Sequence, residues 1–281
     1  MARAQGGDNS DRNEMESVFV AEGHNGIAYN ANEYLLYAAD HGLLQGVEAA
    51  LKAGADIDFD TRDYEISAVS TSLPPSTALF VACVNGHVDV VRLLLRKGAS
   101  MVKRAINGLA PLHIAATEGW TEVVEVLAYH GATVDIRDIS QHTPLIHACG
   151  YNHVDTVRRL IELGARPDLA DGYIDPSPRL GTVVGNIRSQ ECMKLIQEAI
   201  KTKLLRCCNP KCGKPGNRKT LKLCGRCKLT RYCSRDCQAQ HWMVGHKKCC
   251  GRDAYSRVEP DPFRNKHSMM MNLLMAHLNQ A

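Results

Sequence analysis

Long apolar runs are missing from this 281-residue sequence, and none approaches the length of a membrane span. The first 29 residues, Met1 to about Tyr29, are rich in Gly, Asn, Asp and Glu and lack the apolar centre of a secretory leader. We expect residues 1–29 to be disordered, because such a composition buries too little apolar surface to offset its ordering entropy. Cysteine is also scarce over the first 200 residues, which hold only Cys83, Cys149 and Cys192. The other nine of the twelve lie between Cys207 and Cys250. With no secretory signal, a disulfide scaffold is disfavoured and clustered thiols point to a metal. The expected location is intracellular, in the cytoplasm and/or nucleus.

Acidic residues are scarce in the C-terminal part. Residues 201–281 carry 18 Lys/Arg against 4 Asp/Glu, whereas residues 1–200 carry 16 against 26. An anionic partner and mutual attraction between the two halves are both compatible with that split. Nucleic-acid binding would also want stacking aromatics or a recognition helix, and neither is evident.

What the first part does contain is a period. Leu79, Leu112 and Leu145 are 33 residues apart, as are Ala82, Ala115 and Ala148, and Gly98, Gly131 and Gly164. Each unit reads as two short helices. In one, Thr143 stands at an N-cap and Pro144 at the first helical position. The second helix is apolar on one face, as in Val90-Val91-Arg92-Leu93-Leu94-Leu95, and the glycine column stops it with a left-handed cap.

These units resemble ankyrin repeats, with Thr77-Ala78-Leu79, Ala110-Pro111-Leu112-His113 and Thr143-Pro144-Leu145 standing for that family's T-P-L-H. An earlier copy carries Leu35, Ala38, Gly42 and Gly54, displaced by an 11-residue insertion between Gly54 and Thr77. A degenerate copy is expected over 175–201, with its outer helix at Ser189–Ile200; terminal repeats are commonly atypical. The resemblance implies a mainly α, helical solenoid over 30–201, four clear repeats plus the degenerate one, that binds proteins on its concave face.

His87-Val88-Asp89 and His153-Val154-Asp155 mimic part of a two-His-one-carboxylate iron site. They stand two periods apart, at the start of the outer helix, so we read them as repeat structure.

Residues 205–250 carry four close pairs of zinc-type ligands: Cys207 or Cys208 with Cys212, Cys224 with Cys227, Cys233 with Cys237, and His246 with Cys249 or Cys250. Four pairs make two tetrahedral sites without an open position, the mark of structural zinc. The constellation resembles the MYND-type finger, including its Tyr-Cys-Ser, Cys-Gln and His-Trp-x-x-x-His stretches. That resemblance implies an interleaved pairing: Cys207, Cys212, Cys233 and Cys237 on one ion, and Cys224, Cys227, His246 and Cys250 on the other. The family spacing favours Cys207 over Cys208 and Cys250 over Cys249. His241 is placed beside the metals or at the surface. A RING finger is disfavoured because the middle C-x-H-x₂-C is lacking, and the chain leaves no room for a SET domain.

The resemblance further implies a groove for short Pro-rich peptides, lined by Gln238 and Trp242, which are i and i+4 on one helix. A basic surface (Lys211, Lys214, Arg218, Lys219, Lys222, Arg226, Lys228, Arg231) surrounds it. Residues 251–281 form a tail in which Met270, Leu274 and Leu278 keep helical spacing. The expected function is that of a non-catalytic protein–protein adaptor holding two structural Zn²⁺, with no catalytic residue. The alternatives are a nuclear transcriptional co-regulator, a nucleic-acid-binding protein and a cryptic enzyme.

Overall fold

The computed structural model describes residues 19–22, 28–60, 76–105, 108–170, 190–202 and 205–251. The 11-residue insertion, the start of the degenerate repeat and the Met-rich tail fall largely or wholly outside them. Within the segment expected to be disordered, β1 (Phe19–Glu22) pairs antiparallel with β2 (Ala28–Asn30). Asn30 then begins α1 (Ala31–Asp40) with a reciprocal cap. Glu33 N donates to Asn30 Oδ1 at 2.9 Å, and Asn30 N donates to Glu33 Oε2 at 3.0 Å.

Helical pairs follow: α2 (Leu44–Lys52) completes the first, then α3 (Ala78–Val84) with α4 (Val88–Lys97), α5 (Pro111–Thr117) with α6 (Thr121–Tyr129), and α7 (Pro144–Gly150) with α8 (Val154–Glu162). The odd-numbered helices α1, α3, α5 and α7 stack as an inner row. Their partners form an outer row, which α9 (Gln190–Thr202) extends by packing on α8. The Leu and Ala columns are the reason the rows close up: Leu79, Leu112, Leu145, Ala82, Ala115 and Ala148 are all fully buried. A small residue at each Ala lets inner helices approach. Cutting one of the leucines to alanine would cost about 2–5 kcal/mol.

Thr77 caps α3 through its hydroxyl, which accepts from Phe80 N at 3.4 Å. Thr143 holds the cap position of α7, as its sequence context suggests, but its hydroxyl is buried without a hydrogen bond. Pro144 at the first helical position supplies the helical φ instead.

The two H-x-D histidines staple adjacent repeats. His87 Nε2 meets Asp40 O at 2.8 Å, and His153 Nε2 meets Thr117 O at 2.7 Å. Trp120 holds the same position in the copy between them, its indole N–H donating to Val84 O at 2.8 Å. Asp89 and Asp155 are exposed, and Asp155 pairs with Arg158. Neither motif assembles a metal site.

The repeat glycines do more than end helices. Gly98, Gly131 and Gly164 have φ of 101°, 99° and 97°, the left-handed region. Behind each, the next N–H closes back on the helix, as in Ala132 N to Leu127 O at 3.1 Å. The strip they form faces the C-terminal segment: Lys248 Nζ at Gly98, the Gly245–His246 backbone at Gly131, and Arg206 O with Cys208 at Gly164. Gly245 lies equally close to His130 O. Two backbones approach there because neither bears a side chain. Cys249 is buried in the repeat core cluster, and Arg218 reaches Asp168 at 2.8 Å.

Gly54 offers a control, having φ of 93° with nothing near its missing Cβ. Gly54→Ala should cost only the left-handed strain of about 1–2 kcal/mol. Gly131→Ala should cost that plus the loss of the docked segment. We expect thermal unfolding of the full chain to show the larger loss at Gly131; equal losses would contradict the docking.

Candidate metal centres

The described C-terminal segment is built from two two-residue ladders and short helices. β3 (Leu205–Arg206) pairs with β4 (Pro215–Gly216), and β5 (Lys222–Leu223) pairs with β6 (Arg231–Tyr232). Then come α10 (Arg235–His241), a π-type turn at Trp242–His246, and α11 (Lys247–Cys249). Ser234 caps α10 by accepting from Cys237 N at 3.1 Å, so Tyr-Cys-Ser sets the helix that carries the next cysteine. Asn209 shapes the first knuckle: its carbonyl accepts from Cys212 N at 2.8 Å, and its amide donates to Gln240 Oε1 at 2.9 Å.

The cysteines and His246 converge in two groups. In the first, the donor atoms of Cys207, Cys212, Cys233 and Cys237 lie within 4.8 Å of one another. Cys212 and Cys233 are 3.6 Å apart at sulfur, and Cys233 and Cys237 are 3.5 Å apart. In the second, Cys224, Cys227, His246 and Cys250 converge within the same limit. Cys224 and Cys250 are 3.6 Å apart at sulfur, and His246 Nε2 is 3.6 Å from Cys227 Sγ. A zinc tetrahedron with Zn–S bonds of about 2.3 Å has edges of about 3.8 Å, so both groups fit the ion with little adjustment.

At both positions left open by spacing, one cysteine of the pair lies in a donor group and the other lies outside it. Cys207 points into the first group. Cys208 turns to the repeats, where its thiol meets Gly164 O at 3.8 Å and its sulfur accepts from Arg231 N at 3.2 Å. Cys250 joins the second group, while Cys249 packs in the repeat core.

Burial pushes the Cys250 thiol up to about 12 and drives Cys207 upward as well. Cys224 moves the other way: burial opposes ionisation, but the backbone N–H groups of Cys227 and Arg226 stabilise its thiolate and win. Metal binds the thiolate form, so any thiol that still holds its proton gives it up on coordination, and acid reverses the uptake.

His241 is buried rather than exposed. It meets Tyr232 Oη through Nδ1 at 2.9 Å and stacks on His246 with ring centres 5.1 Å apart. Burial, then the neighbouring His246, lowers its pKa to about 4, so it is neutral. It braces the ring of His246 without joining the donor group. Sequence gave no role to Tyr232; its signal is a tyrosine beside a ligand, one helix before a second histidine.

The basic surface is smaller than the sequence suggests. Arg231 is buried, and Arg218 is tied to Asp168, which Arg166 also contacts at 2.7 Å. Charge attraction between the halves therefore has a concrete contact.

Comparison with protein-family models finds ankyrin repeats, three copies, over residues 79–171 and a MYND finger over residues 207–250. The chain carries ankyrin repeats followed by a MYND finger. No curated protein matches it. Both modules are protein-interaction domains, and the cysteine-rich groups of the MYND finger fit zinc. No described helix is long and apolar enough to cross a membrane.

Tyr232→Phe removes the partner of a buried imidazole nitrogen. Metal content should stay unchanged while the finger loses about 1–3 kcal/mol of stability. Metal analysis alongside thermal unfolding checks both; loss of metal would place Tyr232 in the coordination itself.

Proposed function

We propose that the chain is a non-catalytic adaptor whose repeat array and MYND finger each hold a protein partner, with two Zn²⁺ serving only to fold the finger. Cys207, Cys212, Cys233 and Cys237 hold one ion; Cys224, Cys227, His246 and Cys250 hold the other. Each ion is saturated by protein donors, so neither keeps a position for water or substrate.

The observation that carries the peptide-binding part is the placement of Trp242. It packs half-buried on the finger's small cluster, edge-on to His246 with ring centres 6.1 Å apart. Met243 and Val244 follow it directly, 86% and 41% exposed. Gln238 is half-exposed one turn earlier. A partly open indole, a neighbouring amide and exposed apolar side chains suit an extended Pro-rich segment. Such a ligand loses little entropy on binding and docks on aromatic rings. The parts of the finger that meet the repeats are different ones, Gly245 to Cys249 with Arg206, Cys208 and Arg218, so a peptide on Trp242 and a partner on the array are compatible.

Two sets of variants of the full chain test this. Trp242→Ala should weaken binding of Pro-rich peptides by about 2 kcal/mol or more, with zinc content unchanged. Gln238→Ala should act the same way but less. Peptide anisotropy titrations with parallel zinc analysis read both. Peptide affinity unaffected by Trp242→Ala would overturn the groove. For the metal, Cys207→Ser should lower zinc content and Cys208→Ser should not; the reverse would exchange their roles.

A further inference from the structure

We propose that Asp138, His142 and His147 form a third metal site, inside the repeat array, for a borderline divalent cation such as Zn²⁺. Neither the repeat pattern nor the finger accounts for these residues. Asp138 and His142 lie on the connection between α6 and α7, and His147 lies within α7.

Their donor atoms all fall within 4.8 Å of one another. Asp138 Oδ2 is 3.0 Å from His147 Nε2 and 3.7 Å from His142 Nδ1. A tetrahedron with bonds of about 2.0–2.1 Å to nitrogen and oxygen has edges of about 3.3 Å. The two edges from Asp138 Oδ2, 3.0 and 3.7 Å, lie on either side of that length.

The surrounding hydrogen bonds hold the donors in that arrangement. Asp138 Oδ1 accepts from the backbone N–H of Ser140 and of His142, both at 2.8 Å, which leaves Oδ2 turned to the imidazoles. Thr117 donates its hydroxyl proton to His113 O at 2.9 Å, and the same oxygen is 3.2 Å from His147 Nδ1. With a cation on Nε2, Nδ1 of His147 keeps its hydrogen and donates it to Thr117, whose own proton goes to His113 O. Nε2 of His147 is the nitrogen turned to the carboxylate, at hydrogen-bond distance from Asp138 Oδ2. An imidazole whose far nitrogen is held by a hydrogen bond is also the usual state of a metal-bound histidine. The side chains are 5% exposed for Asp138, 12% for His142 and 14% for His147, so the site is largely desolvated yet reachable. Three protein donors leave a fourth position for water or for a donor from a bound partner.

The register of the repeats supplies an independent argument. One period earlier, the positions of Asp138, His142 and His147 hold Ala105, Leu109 and Ile114; two periods earlier, those of His142 and His147 hold Ser76 and Val81. All five are buried. The stack closes there with small or apolar residues, so the fold itself does not call for two histidines and an aspartate.

The test uses the full chain with its finger loaded with Zn²⁺ and excess metal removed, titrated with Co²⁺. The wild type should take up one further equivalent. Its visible bands should lack the intense near-ultraviolet absorption of thiolate-bound cobalt, since the donors are nitrogen and oxygen. His142→Ala and His147→Gln should each weaken that uptake at least tenfold, with far-ultraviolet dichroism unchanged. No further equivalent, or one that shows thiolate absorption, would overturn the proposal on the wild type alone, whatever the variants do. Undiminished uptake by both folded variants would overturn it as well.

Discussion

Two sets of four donor atoms, each drawn to a common centre, are the constraint on which the C-terminal half rests. Apart from cysteines, the buried apolar cluster of that half contains, among the described residues, only Leu221 and Tyr232. A core of that size does not hold a fold of some 45 residues, and the ladders of two residues each add little. On the proposed reading, coordination replaces the missing burial; in zinc-finger peptides it is worth about 10–16 kcal/mol. The directions of α10, of Trp242 and of the turn at Gly245 all follow from where Cys233, Cys237, His246 and Cys250 must point.

The repeat array obeys the opposite logic. It has a continuous core in which Leu, Ala and Val columns recur with the period, and each copy is tied to the last through His87, Trp120 or His153. The two halves meet where both expose backbone. Left-handed glycines terminate the outer helices, and the finger lays Gly245 and His246 against one of them. Because His246 belongs to a donor group, the segment that touches the array also carries a metal-type donor. The buried Cys249, next to Cys250, ties the same two parts together. Two interaction modules joined by these contacts are packed on each other rather than strung on a loose tether.

Much of this was legible in the sequence because it is periodic or because ligands come in pairs. The Leu, Ala and Gly columns announced the helical pairs, and the cysteine spacing announced two groups. Legibility ended where a property depends on what lies opposite. Cys207 and Cys208 are neighbours in sequence, yet one faces a donor group and the other faces Gly164. Arg231 reads as a surface charge and is buried. Thr143 stands at a cap and leaves its hydroxyl unbonded. Asp138, His142 and His147 look like ordinary loop and helix residues until the neighbouring copies, with Leu109 and Ile114 in their places, are laid beside them.

Hydrogen exchange of the full chain, with and without a strong chelator, tests the central claim most directly. If cations fold the finger and the finger then docks on the glycine strip, chelation should remove protection from residues 205–250 and from the amides around Gly131 and Gly164. The inner helices α3, α5 and α7 should keep theirs. Protection of 205–250 that survives removal of metal would contradict the account.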